Sequence, residues 1–277
     1  MARVFTWDEL RTDAIPRPEA FSYISNQLRR DLAAEPAVIG ALLYGSTLRG
    51  DCDERSDIDA LLIYRPGTQE IIVSLQQHLR SAAAGRFVPL RIIAVDSELA
   101  LRGSHSFYPM YHAHLCGAAC AGGIIKEDPL SYIAPKRMTY LEEVHGYLVR
   151  KCGSFDRALE SLAVMSDAEL AAVLGKALSF PVHAARKMLQ CLAPDFDLTD
   201  DSKAVVRAHY QRLNIAHSVD LFHELLGMER RYVEALAELR VIPNINRHVA
   251  LMNQLKPALM LAHQFARLNL LALPAVT

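Results

Sequence analysis

Leu42-Leu-Tyr-Gly-Ser-Thr-Leu-Arg-Gly-Asp-Cys-Asp-Glu-Arg-Ser-Asp-Ile-Asp-Ala-Leu-Leu-Ile-Tyr64 is the stretch that decides how this chain folds. The apolar runs that flank its centre, residues 37–44 and 57–64, are short and bounded by turn residues, so each reads as a buried strand. Gly45-Ser46 breaks the first strand, and residues 51–56 form a polar loop. Asp57 and Asp59 stand two apart on the second strand and therefore project from one face. Neighbouring carboxylates repel each other unless a cation lies between them. Hard, oxygen-seeking Mg²⁺, completed by phosphate oxygens, fits that need. Gly45 lets backbone approach a ligand closely, and the N–H groups of the following turn, with the Ser46 hydroxyl, suit phosphate oxygens. Arg49 lies over the same turn and offers a charged fork.

Working outward, Phe21, Ile24, Leu28 and Leu32 recur at helical spacing over residues 19–34, and Pro36 ends that helix. Residues 68–84 form a second amphipathic helix with Ile71, Ile72, Leu75 and Leu79 on one side. Residues 87–95 read as a third strand, whose Pro89 is best tolerated at a sheet edge. Beyond about residue 136 the strand signal stops. Residues 142–152, 154–165, 167–192, 200–226, 229–239 and 244–273 all favour helix, and Thr139 with Glu142 and Ser166 with Glu169 are capping-box patterns. The expectation is an α+β protein: a small mixed-sheet domain over residues 1–135, then an all-α helical bundle over residues 136–277.

Composition narrows the function classes. Of 30 Lys+Arg and 31 Asp+Glu, residues 1–137 hold 15 and 16, leaving 15 and 15 for the remainder, so neither half has the positive field of a general nucleic-acid binder. Five cysteines, an odd and sparse set, do not make a disulfide framework. Asp8 and Glu9 fall where a signal peptide needs an apolar run. The longest uncharged stretch, residues 103–125, carries three His, one Pro and four Gly and is a poor membrane span. A cytoplasmic protein without a membrane partner is expected.

Gly-Ser, ten residues, then Asp-x-Asp resembles the signature of the DNA polymerase β-like nucleotidyltransferase superfamily, with Gly-Ser-x-x-Arg-Gly and Ser-Asp-Ile-Asp nearest its minimal and aminoglycoside-type bacterial branches. Singly, Gly-Ser is an ordinary turn and Asp-x-Asp an ordinary strand end; together, at this spacing, they carry the resemblance. It implies that Gly45 and Ser46 grip the β- and γ-phosphates of an NTP, taken as ATP, and that Arg49 contacts phosphate. Asp57 and Asp59 would hold two Mg²⁺ ions. The implied reaction moves a nucleoside monophosphate, taken as AMP, to a hydroxyl of a small molecule, protein or RNA and releases pyrophosphate. A basic residue of the helical half would reach the triphosphate; among Lys136-Arg137, Arg150-Lys151 and Arg186-Lys187, Lys151 is the favoured one, against a solvated helix face for each pair.

The resemblance also implies a third carboxylate on the next strand, and the matching position is Arg91. Asp96, at the strand end, is taken as the substitute metal ligand. Glu142 or Glu143 are alternatives, as is a site that keeps only the nucleotide-bearing ion. That last outcome gives a second reading, an NTP-binding sensor or interaction protein with weakened or lost transfer activity. Arg91 either pairs with Asp57 or Asp59 or points away into a surface ion pair. His112, His114, Cys116 and Cys120 match no zinc spacing and read as packing. Arg212 and His217 have a spacing resembling ribonucleases of another helical family, but Leu213 departs from it and coincidence is the expectation. Asp195, Asp197, Asp200 and Asp201 read as a solvated loop rather than a seat for a polycationic acceptor.

Overall fold

Pro36, the glycine bend at 45 and the Arg65-Pro-Gly67 turn cut the N-terminal sequence into pieces of strand and helix length. The computed structural model, which describes residues 3–193, 195–197, 202–215 and 217–275, follows those cuts closely. In chain order the elements are α1 (Trp7–Arg11), α2 (Pro18–Ala34), β1 (Val38–Tyr44), α3 (Ser46–Arg49), β2 (Ile58–Tyr64), α4 (Gln69–Ala84), β3 (Leu90–Asp96), α5 (Ser97–Leu101), α6 (Pro109–Ala118) and β4 (Ile124–Lys126). There follow α7 (Tyr140–Ser161), α8 (Asp167–Leu192), α9 (Lys203–Tyr210), α10 (Ser218–Val241), α11 (Ile245–Leu255) and α12 (Pro257–Ala272). The architecture is α+β. Contacts divide the chain into a unit built on the sheet, residues 15–138, and a helical unit.

The sheet has the order β3-β2-β1-β4, with β1 antiparallel to β2 and β4, and β2 parallel to β3. The parallel step is made through α4, as a crossover requires. Both faces are covered, which is why β1 and β2 read as almost unbroken apolar runs. Ala41, Leu43, Ile58, Ala60 and Leu62 pack against Phe21, Ile24, Leu28 and Leu32 of α2 and Ile72 and Leu79 of α4. Leu42, Tyr44, Leu61 and Ile63 face Leu115 and Ala118 of α6, with Ala100, Phe107 and Ile133. β3 is an edge strand, so Pro89 sits just ahead of it without breaking a ladder; its carbonyl accepts from the Ile58 N–H at 2.9 Å. The short β4 carried no strand signal. Gly123 brings it in, since a Cβ there would lie 2.2 Å from the Leu43 carbonyl oxygen.

The helical unit groups residues 139–196 and 202–275 with residues 3–14, which the sequence had placed beside the sheet. The reason is local: Phe5 is fully buried, and its N–H donates to the Tyr232 hydroxyl at 2.8 Å. Both expected capping boxes form, Thr139 with Glu142 and Ser166 with Glu169. Two expected helices fuse into α7, because Leu148, Phe155 and Ala158 keep one buried face running through Gly153. The expected helix over 244–273 divides at Pro257. Rings of Phe155, Phe180, Tyr210, Phe222 and Phe265 form the aromatic core. Asp200 and Asp201 lie outside the described residues. No helix among the described residues is long and apolar enough to cross a membrane.

Within that core a small polar network is closed on itself. The Tyr210 hydroxyl donates to Asn269 Oδ1 at 2.6 Å, and Asn269 Nδ2 donates to Ser218 Oγ at 2.9 Å and to the Phe265 carbonyl at 2.8 Å. Tyr210, Ser218 and Asn269 are all fully buried, so breaking the network strands polar atoms away from water. Asn269→Ala is expected to destabilise the helical unit by about 2–4 kcal/mol, well beyond an exposed control such as Asn246→Ala, measured by chemical denaturation.

Candidate active site

Strand register builds the site. Tyr44 is the antiparallel partner of Asp59, and Asp59 is the parallel partner of Arg91. Paired residues share a face, so Tyr44, Asp59 and Arg91 form a row across β1, β2 and β3, with Asp57 two residues back on the same side. Immediately after Tyr44 the chain bends at Gly45, with φ +83° and ψ −163°, a region essentially reserved for glycine. The bend passes directly over the acid: a Cβ on Gly45 would stand 3.1 Å from Asp59 Oδ2. Gly45 then caps the single turn α3, and the Thr47 hydroxyl fastens that turn to β2 by donating to the Asp57 carbonyl at 3.3 Å. Gly45, Ser46, Asp57 and Asp59 are thus held at one place.

Asp59 is electrostatically poised. Burial, and then the Asp57 charge, push its pKa up to about 6. Its Oδ1 is buried with no hydrogen-bond partner. An orphaned, repelled carboxylate oxygen of this kind is what a hard divalent cation would satisfy, and the donor set suits one. Among the described residues no group of three His, Cys, Asp or Glu side chains converges to hold a metal; a cation at this spot would have Asp57 and Asp59 as its candidate protein ligands.

Other expected residues are placed less simply. Arg49 lies on α3 as anticipated, with its guanidinium 3.3 Å from the Asp51 carboxylate. Asp96, expected as a metal ligand, is not brought to Asp57 and Asp59. It is the partner of Tyr64, five residues up the ladder from Arg91 and roughly 16 Å away at strand spacing, on the opposite face. Its carboxylate caps α5, accepting from the N–H groups of Glu98 at 2.8 Å and Leu99 at 3.3 Å. Glu142 is occupied by its capping box, and Glu143 pairs with Lys187 at 2.8 Å inside the helical unit. Lys151 belongs to that unit too. Its ammonium lies over the rings of Tyr147 and Phe180, and burial lowers its pKa. Lys136 lies over the Tyr108 ring. Arg212 and His217 are both exposed, one in a single 3₁₀ turn and the other capping α10.

Sequence reasoning missed Tyr44, Tyr111 and His114 as neighbours of the acids. The Tyr111 hydroxyl donates to that of Tyr44, and burial drives both phenol pKa values upward, Tyr111 to about 12. The His114 ring meets Tyr44 edge-on, and its charge acts on Asp59. The signal was present: Tyr111, His114, Leu115 and Ala118 share one helical face, and that face packs on the sheet. His112 instead turns to Cys116, 3.6 Å from Nδ1 to Sγ.

Residues 25–102 match the family described as the nucleotidyltransferase domain. This segment is a nucleotidyltransferase domain of the DNA polymerase β-like superfamily. The matched segment runs from within α2 to the end of α5 and so contains the bend, both aspartates and Arg91. No curated protein matches the chain. The helical unit lies outside the family match.

The buried acid at the centre of this domain has a stability consequence. A carboxyl group whose pKa is raised on folding holds its proton more tightly in the native state, so the contribution of Asp59 to stability is fully present below about pH 4 and is lost as pH rises through about 6. In chelator, Asp59→Asn is expected to stabilise the domain by about 1–3 kcal/mol at pH 8 and by little at pH 4, read from thermal unfolding at the two pH values. Gly45→Ala, with its strained backbone and close approach to Asp59, is expected to destabilise by about 1–3 kcal/mol at either pH.

Proposed function

We propose that the chain is a Mg²⁺-dependent nucleotidyltransferase that moves AMP from ATP to an acceptor hydroxyl and releases pyrophosphate. The observation that carries this reading is the seating of the Gly45 bend directly on the Asp59 carboxylate. It supports the reading because a turn suited to phosphate and an acid pair suited to a cation then lie within one ligand's reach. The N–H groups opening α3 and the Ser46 hydroxyl orient the triphosphate. Arg49 exchanges its Asp51 partner for phosphate and neutralises it. Asp57 and Asp59 hold the divalent ion, which when bound supplies positive charge to the reacting phosphate and the leaving pyrophosphate. Alignment and charge neutralisation provide most of the rate gain in such transfers. The choice of ATP, the contact from Lys151 and the acceptor's hydroxyl rest on the resemblance alone.

Arg91 favours a second reading, a protein on the same fold that binds NTP with little or no turnover, because a cation stands in register beside Asp59 where an acid is expected.

The two readings separate experimentally. With radiolabelled NTP and Mg²⁺, the wild-type chain is expected to release pyrophosphate about 10²–10⁴-fold faster than an Asp57→Ala/Asp59→Ala variant. Equal release by both rejects transfer at this site. Tight calorimetric binding of a non-hydrolysable NTP with no release by either supports the second reading.

A further inference from the structure

Where a third carboxylate would complete a two-ion site, this domain has a permanent positive charge. Arg91 is the ladder partner of Asp59 and shares its face, and a guanidinium does not lose its proton in a protein. Burial disfavours its charge, but the Asp59 and Asp57 carboxylates favour it. Asp59 in turn feels Arg91 as a stabilising neighbour. Paired metal ions in phosphoryl-type enzymes sit about 3.5–4 Å apart, bridged by shared acids. Arg91 is exposed on the edge strand, so a second ion bridged by Asp57 and Asp59 would share their face with a guanidinium one strand away, without a third acid among the described residues to hold it.

We propose that Arg91 takes the place of the second divalent ion, so that the domain binds one metal ion per nucleotide. The inference rests on the nucleotide-and-metal reading above and specifies its stoichiometry. Arg91 is then a positioning residue: it offsets the charge of the two aspartates on the side away from the triphosphate and leaves them one ion to share. It also means that activation of an acceptor hydroxyl falls to protein groups on this face rather than to a second metal.

The test is equilibrium dialysis of the full chain against Mn²⁺ and a non-hydrolysable NTP analogue, counting both per chain. Wild type is expected to hold one Mn²⁺ per bound nucleotide with the spectrum of an isolated ion. Arg91→Glu is expected to hold two, with the exchange-coupled electron paramagnetic resonance signal of a close pair, while Arg91→Gln, which removes charge without adding a ligand, stays at one. Two ions on the wild type, or one on a folded Arg91→Glu chain, overturn the inference and leave the nucleotide reading intact. A wild-type chain that retains no nucleotide overturns that reading as well. Should Arg91→Glu lose its circular dichroism spectrum, the wild-type count decides the matter.

Discussion

The sheet unit is organised around a carboxylate placed where carboxylates are costly. Asp59 sits on a buried strand, beside a second acid and under a backbone bend, with one oxygen left without a hydrogen bond. Nothing in the packing of β2 needs an acid at this position; Leu61 and Ile63 continue the same face with apolar side chains. The neighbouring structure is built to keep the acid there. β1 delivers a glycine conformation that no other residue adopts comfortably, α3 is pinned to the start of β2 by the Thr47 hydroxyl, and α6 closes the face with paired phenols. Local strain and local charge repulsion coincide at this point, an arrangement that costs stability and is characteristic of functional sites.

That concentration explains what could be read from the sequence. The apolar runs of β1 and β2, the bend and the acid pair lie within one contiguous segment, so short-range pattern was enough to place Gly45, Ser46, Asp57 and Asp59. Turn residues bounded α2, α4 and β3 to within a few positions. What failed depended on distance in sequence. Asp96 looked available because it is the next acid along β3, but parallel register puts Arg91 beside Asp59, and an Asx cap consumes Asp96. Tyr111 and His114 reach the site only through packing of α6 on the sheet. β4 is three residues long and is secured by a glycine contact that no periodicity reports. In the helical unit, Gly153 was too weak a breaker to stop α7, and the first residues were drawn to that unit by one buried ring and one backbone hydrogen bond.

The two units also differ in what they say about chemistry. The sheet unit carries the family match and a bend seated on a buried acid. The helical unit is held by capping boxes, an aromatic core and ion pairs such as Arg207 with Glu229 at 3.0 Å, which account for most of its conspicuous charged residues as structure. In the sheet unit the strand-register partner of Asp59 on β3 is a cation, Arg91.

The most direct measurement is anomalous diffraction from crystals of the chain grown with Mn²⁺ and a non-hydrolysable NTP analogue. The expected result is a manganese peak bonded to Asp57 and Asp59 and to triphosphate oxygens, with the phosphates seated on the backbone N–H groups that follow Gly45. Manganese absent from the aspartates, or a triphosphate bound away from the glycine bend, would contradict the account.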